Sequence, residues 1–177
     1  MPPKTRVISR VPGGSRGADG SPRVRAPLTA PNARSKKAMK PSLSQGLTFE
    51  FSYRVPEQKT VPHVYPESGL FQAMPHVFAT AYLVGLFEWA CMEAMQPHLE
   101  PGEQSVGVDI RVSHTAATPP GLTVTVQVLV EAVEGRKLSF RVSAHDGVES
   151  IGEGTHQRVV IHAERFLQRV ASKARGA

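Results

Sequence analysis

A glutamate stands where charge is least expected. Val77 to Phe87 is an eleven-residue run without a charge, and Glu88 follows it, with Trp89, Ala90, Cys91 and Met92 close behind. Burying an unpaired carboxylate costs several kcal/mol, so such a group is either paired structurally or held for function. Perturbed carboxylates concentrate at active sites. Thr80 lies eight residues earlier on the same apolar stretch. At ~100° and ~1.5 Å per residue, the two differ by roughly 80° in azimuth and 12 Å in height on one helix. They cannot hydrogen-bond within a chain, so a shared reaction requires them to flank a substrate or meet across a dimer. His114 follows a strand pattern and opens the run Ser113-His114-Thr115-Ala116-Ala117-Thr118-Pro119-Pro120-Gly121. A histidine at such a junction can reach into a cleft on an anchored backbone, as a general acid or base does. Taken singly, a helix threonine or a lone histidine is more often structural.

Other chemistry finds less support. His63, His145, His156 and His162 show no metal-site spacing. No G-x-S-x-G elbow, Walker A loop or dinucleotide fingerprint occurs, and no cofactor is expected. Gly152-Glu153-Gly154-Thr155 lies inside a strand pattern and precedes no helix, so it reads as a bulge or a close backbone approach.

The elements that must carry these residues follow from periodicity. Leu47, Phe49, Phe51, Tyr53 and Val55 alternate with polar residues from Gly46 onward, which predicts a half-buried strand. Pro56, Pro62 and Pro66 then forbid helix and central strand alike, giving an irregular apolar lid with a short helical turn near Ser68 to Met74. His76 to Met95 reads as one helix buried on most faces. Four strands follow: Ser105 to Ser113, with Val106, Val108, Ile110 and Val112 inward, Leu122 to Val130, Leu138 to Ala144, and Ile151 to His162. Turn signals at Pro119-Pro120-Gly121, Glu134-Gly135 and Asp146-Gly147 separate the last four. An amphipathic helix near Ala163 to Ser172 completes the order. One long helix wrapped by an antiparallel sheet is an α+β domain with the outline of a hotdog fold. Its exposed sheet edges predict a homodimer.

Composition sets the bounds. A chain of 177 residues suits one domain, and a single cysteine, Cys91, excludes an intrachain disulfide framework and suits a reducing compartment. The apolar run is well short of the roughly 20 residues that span a bilayer, and the basic N-terminus lacks the apolar core of a secretory signal. A cytoplasmic protein without membrane attachment is expected. Residues 1–45 hold ten of the 21 Lys and Arg and one acid, Asp19, a net of +9. The other 132 residues hold eleven bases and fourteen acids, a net of −3. With seven prolines, four glycines and no apolar period, residues 1–45 read as a disordered basic tail, with the domain over 46–172. The tail has no aromatic interleaving, so no specific nucleic-acid partner is expected. Met39-Lys40-Pro41 stands just ahead of the first strand, and residues 1–38 are expected to add nothing to fold or catalysis, whether or not they are translated.

Several blocks together are distinctive: Lys59-Thr60-Val61, Tyr65-Pro66-Glu67-Ser68, Val77-Phe78-Ala79-Thr80, Val84-Gly85-Leu86, Glu88-Trp89-Ala90-Cys91, His114 through Gly121, and Val142 through Val148. From about Gly46 to Phe166 the chain resembles the fluoroacetyl-CoA thioesterase family of hotdog enzymes. The resemblance implies hydrolysis of a short acyl-CoA thioester at a dimer interface, by a set that falls on Thr80, Glu88 and His114. It implies Glu88 as nucleophile or as base for a water, Thr80 as a positioning hydroxyl and His114 in proton transfer. A backbone N–H near Gly107 is the implied oxyanion donor, Arg158 faces the acyl group or CoA, and Val61, Phe71 and Met74 line the substrate. The selective members carry a second lid phenylalanine where this chain has Met74, so selectivity for a fluorinated acyl group does not follow. Two rival classes are a hotdog protein that binds acyl-CoA without cleaving it and a hotdog enoyl-CoA hydratase, which would want an Asp/His dyad.

Overall fold

Strict alternation builds the middle of the sheet. The computed structural model describes residues 39–176. In β3 (Thr123–Glu134), Val124, Val126, Val128 and Val130 all point into the core. β4 (Lys137–His145) does the same with Leu138, Phe140, Val142 and Ala144. With β1 (Thr48–Arg54), β2 (Glu103–Val112) and β5 (Ser150–His162), these form one antiparallel sheet in the order β1-β3-β4-β5-β2. The sheet wraps one long helix, so the domain has the expected α+β hotdog architecture.

That helix, α2 (Thr80–Met95), buries Leu83, Leu86, Phe87, Ala90, Cys91, Ala94 and Met95. Each large apolar side chain so buried contributes about 1.5–3 kcal/mol of transfer free energy. The helix starts at Thr80, four residues later than the expected His76, because Phe78 bridges to Thr60 and the Ala79 N–H is tied to the Lys59 carbonyl at 3.1 Å. It is also less enclosed than predicted: Ala81, Gly85, Trp89 and Met92 form an exposed stripe. A second amphipathic helix, α3 (Ala163–Arg175), extends from β5 and buries none of its side chains. No helix among the described residues is long and apolar enough to cross a membrane.

The lid between β1 and α2 holds two 3-10 turns, Glu57–Lys59 and Val61–His63, and the single-turn helix α1 (Gly69–Gln72). Prolines exclude regular pairing there, so discrete bonds hold it. The Gln72 amide donates to the Pro62 carbonyl at 2.6 Å, the Tyr82 hydroxyl to the His63 carbonyl at 2.9 Å, and Glu57 pairs with His76.

Two departures bear on the site. β2 and β5 slip register between Gly107 and Asp109, leaving Val108 outside the pairing and 55% exposed. Val106 pairs opposite Val159 on the face away from Gly107 and the buried Arg158, so of the predicted inward row only Ile110 and Val112, opposite His156 and Gly154, keep to that face. Residues 39–45, expected to belong to the tail, pack into the domain instead. Met39 and Leu43 join the core, the Lys40 N–H donates to the His98 carbonyl at 2.8 Å, and Ser42 Oγ meets His98 Nδ1 at 2.7 Å. Two apolar side chains among polar neighbours carry no period, which hid this anchorage. The expectation for residues 1–38 lies outside the described residues.

Gly152 and Gly154 fulfil the close-approach reading. A Cβ on either would overlap a carbonyl oxygen of the neighbouring chain segment, that of Ser113 just after β2 for Gly152 and that of Arg111 in β2 for Gly154. The loop after β2 is fastened in turn to the β4–β5 turn, where Thr118 Oγ1 donates to Asp146 Oδ2 at 3.1 Å and the Val148 and Glu149 N–H groups donate to Oδ1. Burial pushes the Asp146 carboxyl up, but these donors outweigh it and hold the group below its ordinary value. Gly154→Ala should therefore force the two strands apart and lower stability by about 1–3 kcal/mol in urea unfolding. An unchanged midpoint would show that β2 can shift freely against β5.

Candidate active site

Glu88 emerges from α2 directly over the β2–β5 seam. Gly107 lies beneath it, and a Cβ there would stand 2.5 Å from Glu88 Oε1 and 3.1 Å from His156 Cε1, so a larger residue would push the carboxylate from this place. Arg158 Nη1 approaches the same oxygen at 3.4 Å and His156 Nε2 at 3.7 Å. The Arg158 side chain is 4% exposed and that of Glu88 42%, so a buried cation holds an anion that opens to solvent. Glu88 is thus neither unpaired nor enclosed, and the expectation of a carboxylate sealed in the helix interior is corrected. The exposed stripe of α2 gives it its opening.

The buried guanidinium is bonded at all three of its nitrogens. Its Nε donates to Ser105 Oγ at 2.9 Å, its Nη2 to the Ser105 carbonyl at 3.0 Å, and its Nη1 also reaches His156 Nε2 at 3.0 Å. Burial lowers the Arg158 pKa and the charge of Glu88 opposes that fall. Arginine nevertheless stays a cation. Cys91, one turn further along the helix, is pushed up to about 12, chiefly by burial, with Arg158 lowering it and Glu88 raising it. A thiol so protonated supplies no nucleophile.

Thr80 and His114 form a second cluster. Thr80 Oγ1 lies 2.9 Å from His114 Nδ1, joining the first turn of α2 to the loop after β2. The Phe78 ring stands beside the imidazole, with centroids 6.4 Å apart. His114 Nε2 is buried without a hydrogen-bond partner among the described residues. With Nδ1 protonated toward the threonine oxygen, Nε2 keeps a free lone pair. With Nε2 protonated, Nδ1 accepts from the threonine hydroxyl. Either tautomer provides a group able to move a proton. Burial pushes the His114 pKa below its ordinary value, and a backbone hydrogen bond with Ala116 opposes the shift.

The chain thus unites Thr80 with His114, and Glu88 with Arg158 and Gly107, while neither Thr80 nor His114 touches Glu88 among the described contacts. Helix geometry already separated Thr80 from Glu88 by roughly 12 Å. Val61, Phe71 and Met74 lie on the lid, fastened to the Thr80 end of α2 through the Val61 N–H bond to the Val77 carbonyl at 3.0 Å. Phe71 packs edge-on against Tyr65 at 5.2 Å, and Met74 is 49% exposed. An apolar cavity of about 230 Å³ between Tyr53, Tyr82 and Trp89 occupies the flank of α2 turned toward β1, away from Glu88. His156, Ser105 and the Asp109 carbonyl were missed as site groups. The one available signal was that His156 and Arg158 share a face of one strand, two residues apart.

Comparison with known proteins places the chain in a family. A family model described as fluoroacetyl-CoA-specific thioesterase matches residues 55–164. The fluoroacetyl-CoA thioesterase of Streptantibioticus cattleyicolor is 58% identical over 135 residues, covering 76% of this chain and 97% of that protein. A solved structure of the fluoroacetyl-CoA thioesterase FlK superposes with a TM-score of 0.72 at 60% identity, over 73% of this chain and 96% of that one. A Thermus thermophilus protein of the thioesterase superfamily matches with a TM-score of 0.66 at 27% identity, over 75% and 96% of the two chains. With its sheet, lid and clustered polar groups in place, the chain belongs to the fluoroacetyl-CoA-specific thioesterase family.

Proposed function

We propose that the protein hydrolyses short acyl-CoA thioesters to a carboxylate and free CoA, with Glu88 as the reacting carboxylate. The observation that carries the reading is Glu88 itself: half-open to solvent, backed by a glycine that makes room for it, and held by a buried arginine. Family membership supports the same chemistry. Glu88 either attacks the thioester carbonyl carbon or takes a proton from the water that does. In both routes the carbon–sulfur bond breaks and CoA leaves as a thiolate that takes up a proton. In the nucleophilic route water then cleaves the acyl–Glu88 anhydride and loses its proton to neutral His114, which passes it to the thiolate. In the base route Glu88 hands the water's proton on through His114, and in both Thr80 orients the imidazole. A backbone N–H at Gly107 receives the negative charge that develops on the carbonyl oxygen.

The working unit in this reading is a homodimer. β2 is an edge strand, with β5 on one side and its other side unpaired within the protomer. A second copy pairing along that edge covers it and brings a second Thr80–His114 pair toward Glu88. The lone, buried Cys91 fits a reducing compartment, and we place the enzyme in the cytoplasm.

Three measurements test these roles. Glu88→Gln keeps the side-chain volume and removes the nucleophile or base, so thiol release from acetyl-CoA should fall by at least about two orders of magnitude in a dimer that still unfolds cooperatively. Near-normal turnover in that folded variant ends the assignment. His114 must be neutral to accept a proton, and its lowered pKa keeps it neutral at pH 7. The kcat/KM should therefore hold between about pH 8 and 6.5 and decline only below that, with the His114-dependent limb missing in His114→Gln. A limb centred above pH 7 contradicts the burial of this imidazole. Met74→Phe places a rigid ring on the lid and should raise the ratio of fluoroacetyl-CoA to acetyl-CoA turnover. A wild type that already favours fluoroacetyl-CoA by several orders of magnitude removes Met74 as the determinant.

A further inference from the structure

The chain of bonds behind Arg158 continues past the groups that meet the substrate. His156 is 1% exposed and lies between Arg158 and the backbone of β2. Its Nδ1 stands 2.8 Å from the Asp109 carbonyl oxygen, which can only accept, so Nδ1 carries the proton. Its Nε2 stands 3.0 Å from Arg158 Nη1, which can only donate, so Nε2 is bare. Two neighbours with fixed roles thereby select one neutral tautomer. Nη1 has two hydrogens: one goes to His156, and the other is directed at Glu88 Oε1, 3.4 Å away. The Asp109 carbonyl lies just past Val108, where β2 slips register against β5.

We infer that His156 is a positioning residue for the hydrolysis: fixed as its Nδ1–H tautomer by the Asp109 carbonyl, it aims Arg158 Nη1 at the Glu88 carboxylate. The inference rests on the reading of Glu88 as the reacting group. A protonated His156 would set an N–H against an N–H of a cation at 3.0 Å, so the relay needs a neutral imidazole. Burial, first of all, lowers its pKa, and the Arg158 charge adds to that, while the Asp109 hydrogen bond and the charges of Glu88 and Asp109 oppose. The bulge thus has a use: it turns a β2 carbonyl toward a β5 side chain, and the direction passes through His156 and Arg158 to the carboxylate on α2.

The test compares His156→Leu with His156→Gln in the full-length protein. Gln retains an acceptor for Nη1 and Leu does not. For Leu, kcat should fall about 10- to 100-fold with KM for acetyl-CoA within about threefold, while Gln recovers kcat to within about fivefold of wild type. Ser105→Ala, which removes another acceptor from the same guanidinium, should lower kcat in the same direction and serves if the Leu variant does not fold. Imidazole ¹⁵N shifts give a readout apart from activity: His156 should appear as the Nδ1–H tautomer. Equal kcat in the Leu and Gln variants, or an Nε2–H tautomer, overturns the relay. Full turnover in Glu88→Gln instead overturns the reading of the site on which it rests.

Discussion

A guanidinium buried at the seam between helix and sheet sets the terms for this fold. Taking Arg158 out of water costs several kcal/mol unless every donor finds an acceptor and an anion lies near. Ser105 supplies two acceptors from β2, His156 one from β5, and Glu88 the charge from α2. Each partner constrains its element in turn. Ser105 on β2 pairs opposite Val160, which puts its carbonyl and hydroxyl within reach of Arg158 two residues along β5. Gly107 leaves room for the carboxylate where it reaches from α2 to the sheet. Packing tight enough to satisfy the cation is also what places the carboxylate.

The same pairing explains why the site can be both buried and open. Arg158 has its acceptors inside, where water does not compete, whereas Glu88 leaves on the exposed stripe of the helix. A carboxylate with both oxygens sealed could not meet a thioester, and one wholly in solvent would have no fixed direction. The asymmetry in exposure between the two partners resolves that conflict. The Thr80–His114 pair follows a different plan, resting on the loop after β2 that Thr118 and Asp146 fasten to the neighbouring turn.

Much of this was legible in the residues, for definable reasons. The valines at even positions of β3 and the proline spacing of the lid each allow one reading, so the sheet strands and the irregular lid were predicted in place. Thr80, Glu88 and His114 stood out because each breaks a local pattern, and the azimuth on α2 correctly kept Thr80 from Glu88. The partners were hidden because they depend on pairing across many residues. Thr80 and His114 are 34 apart in sequence, and Arg158 and Glu88 are 70 apart. The slip at Val108 was masked by an alternation that continues straight through it. His156 looked like three other histidines, His63, His145 and His162, since only the Asp109 carbonyl opposite distinguishes it.

Cys91 is the chain's single thiol, held fully inside the core and protonated well above neutral pH. Reagents that count free thiols react with thiolates they can reach, and this sulfur offers neither charge nor access. While the protein stays folded, a colorimetric trace of CoA release therefore starts from a flat baseline. The same sulfur becomes a gauge of integrity, since one equivalent of colour per chain appears when the core opens.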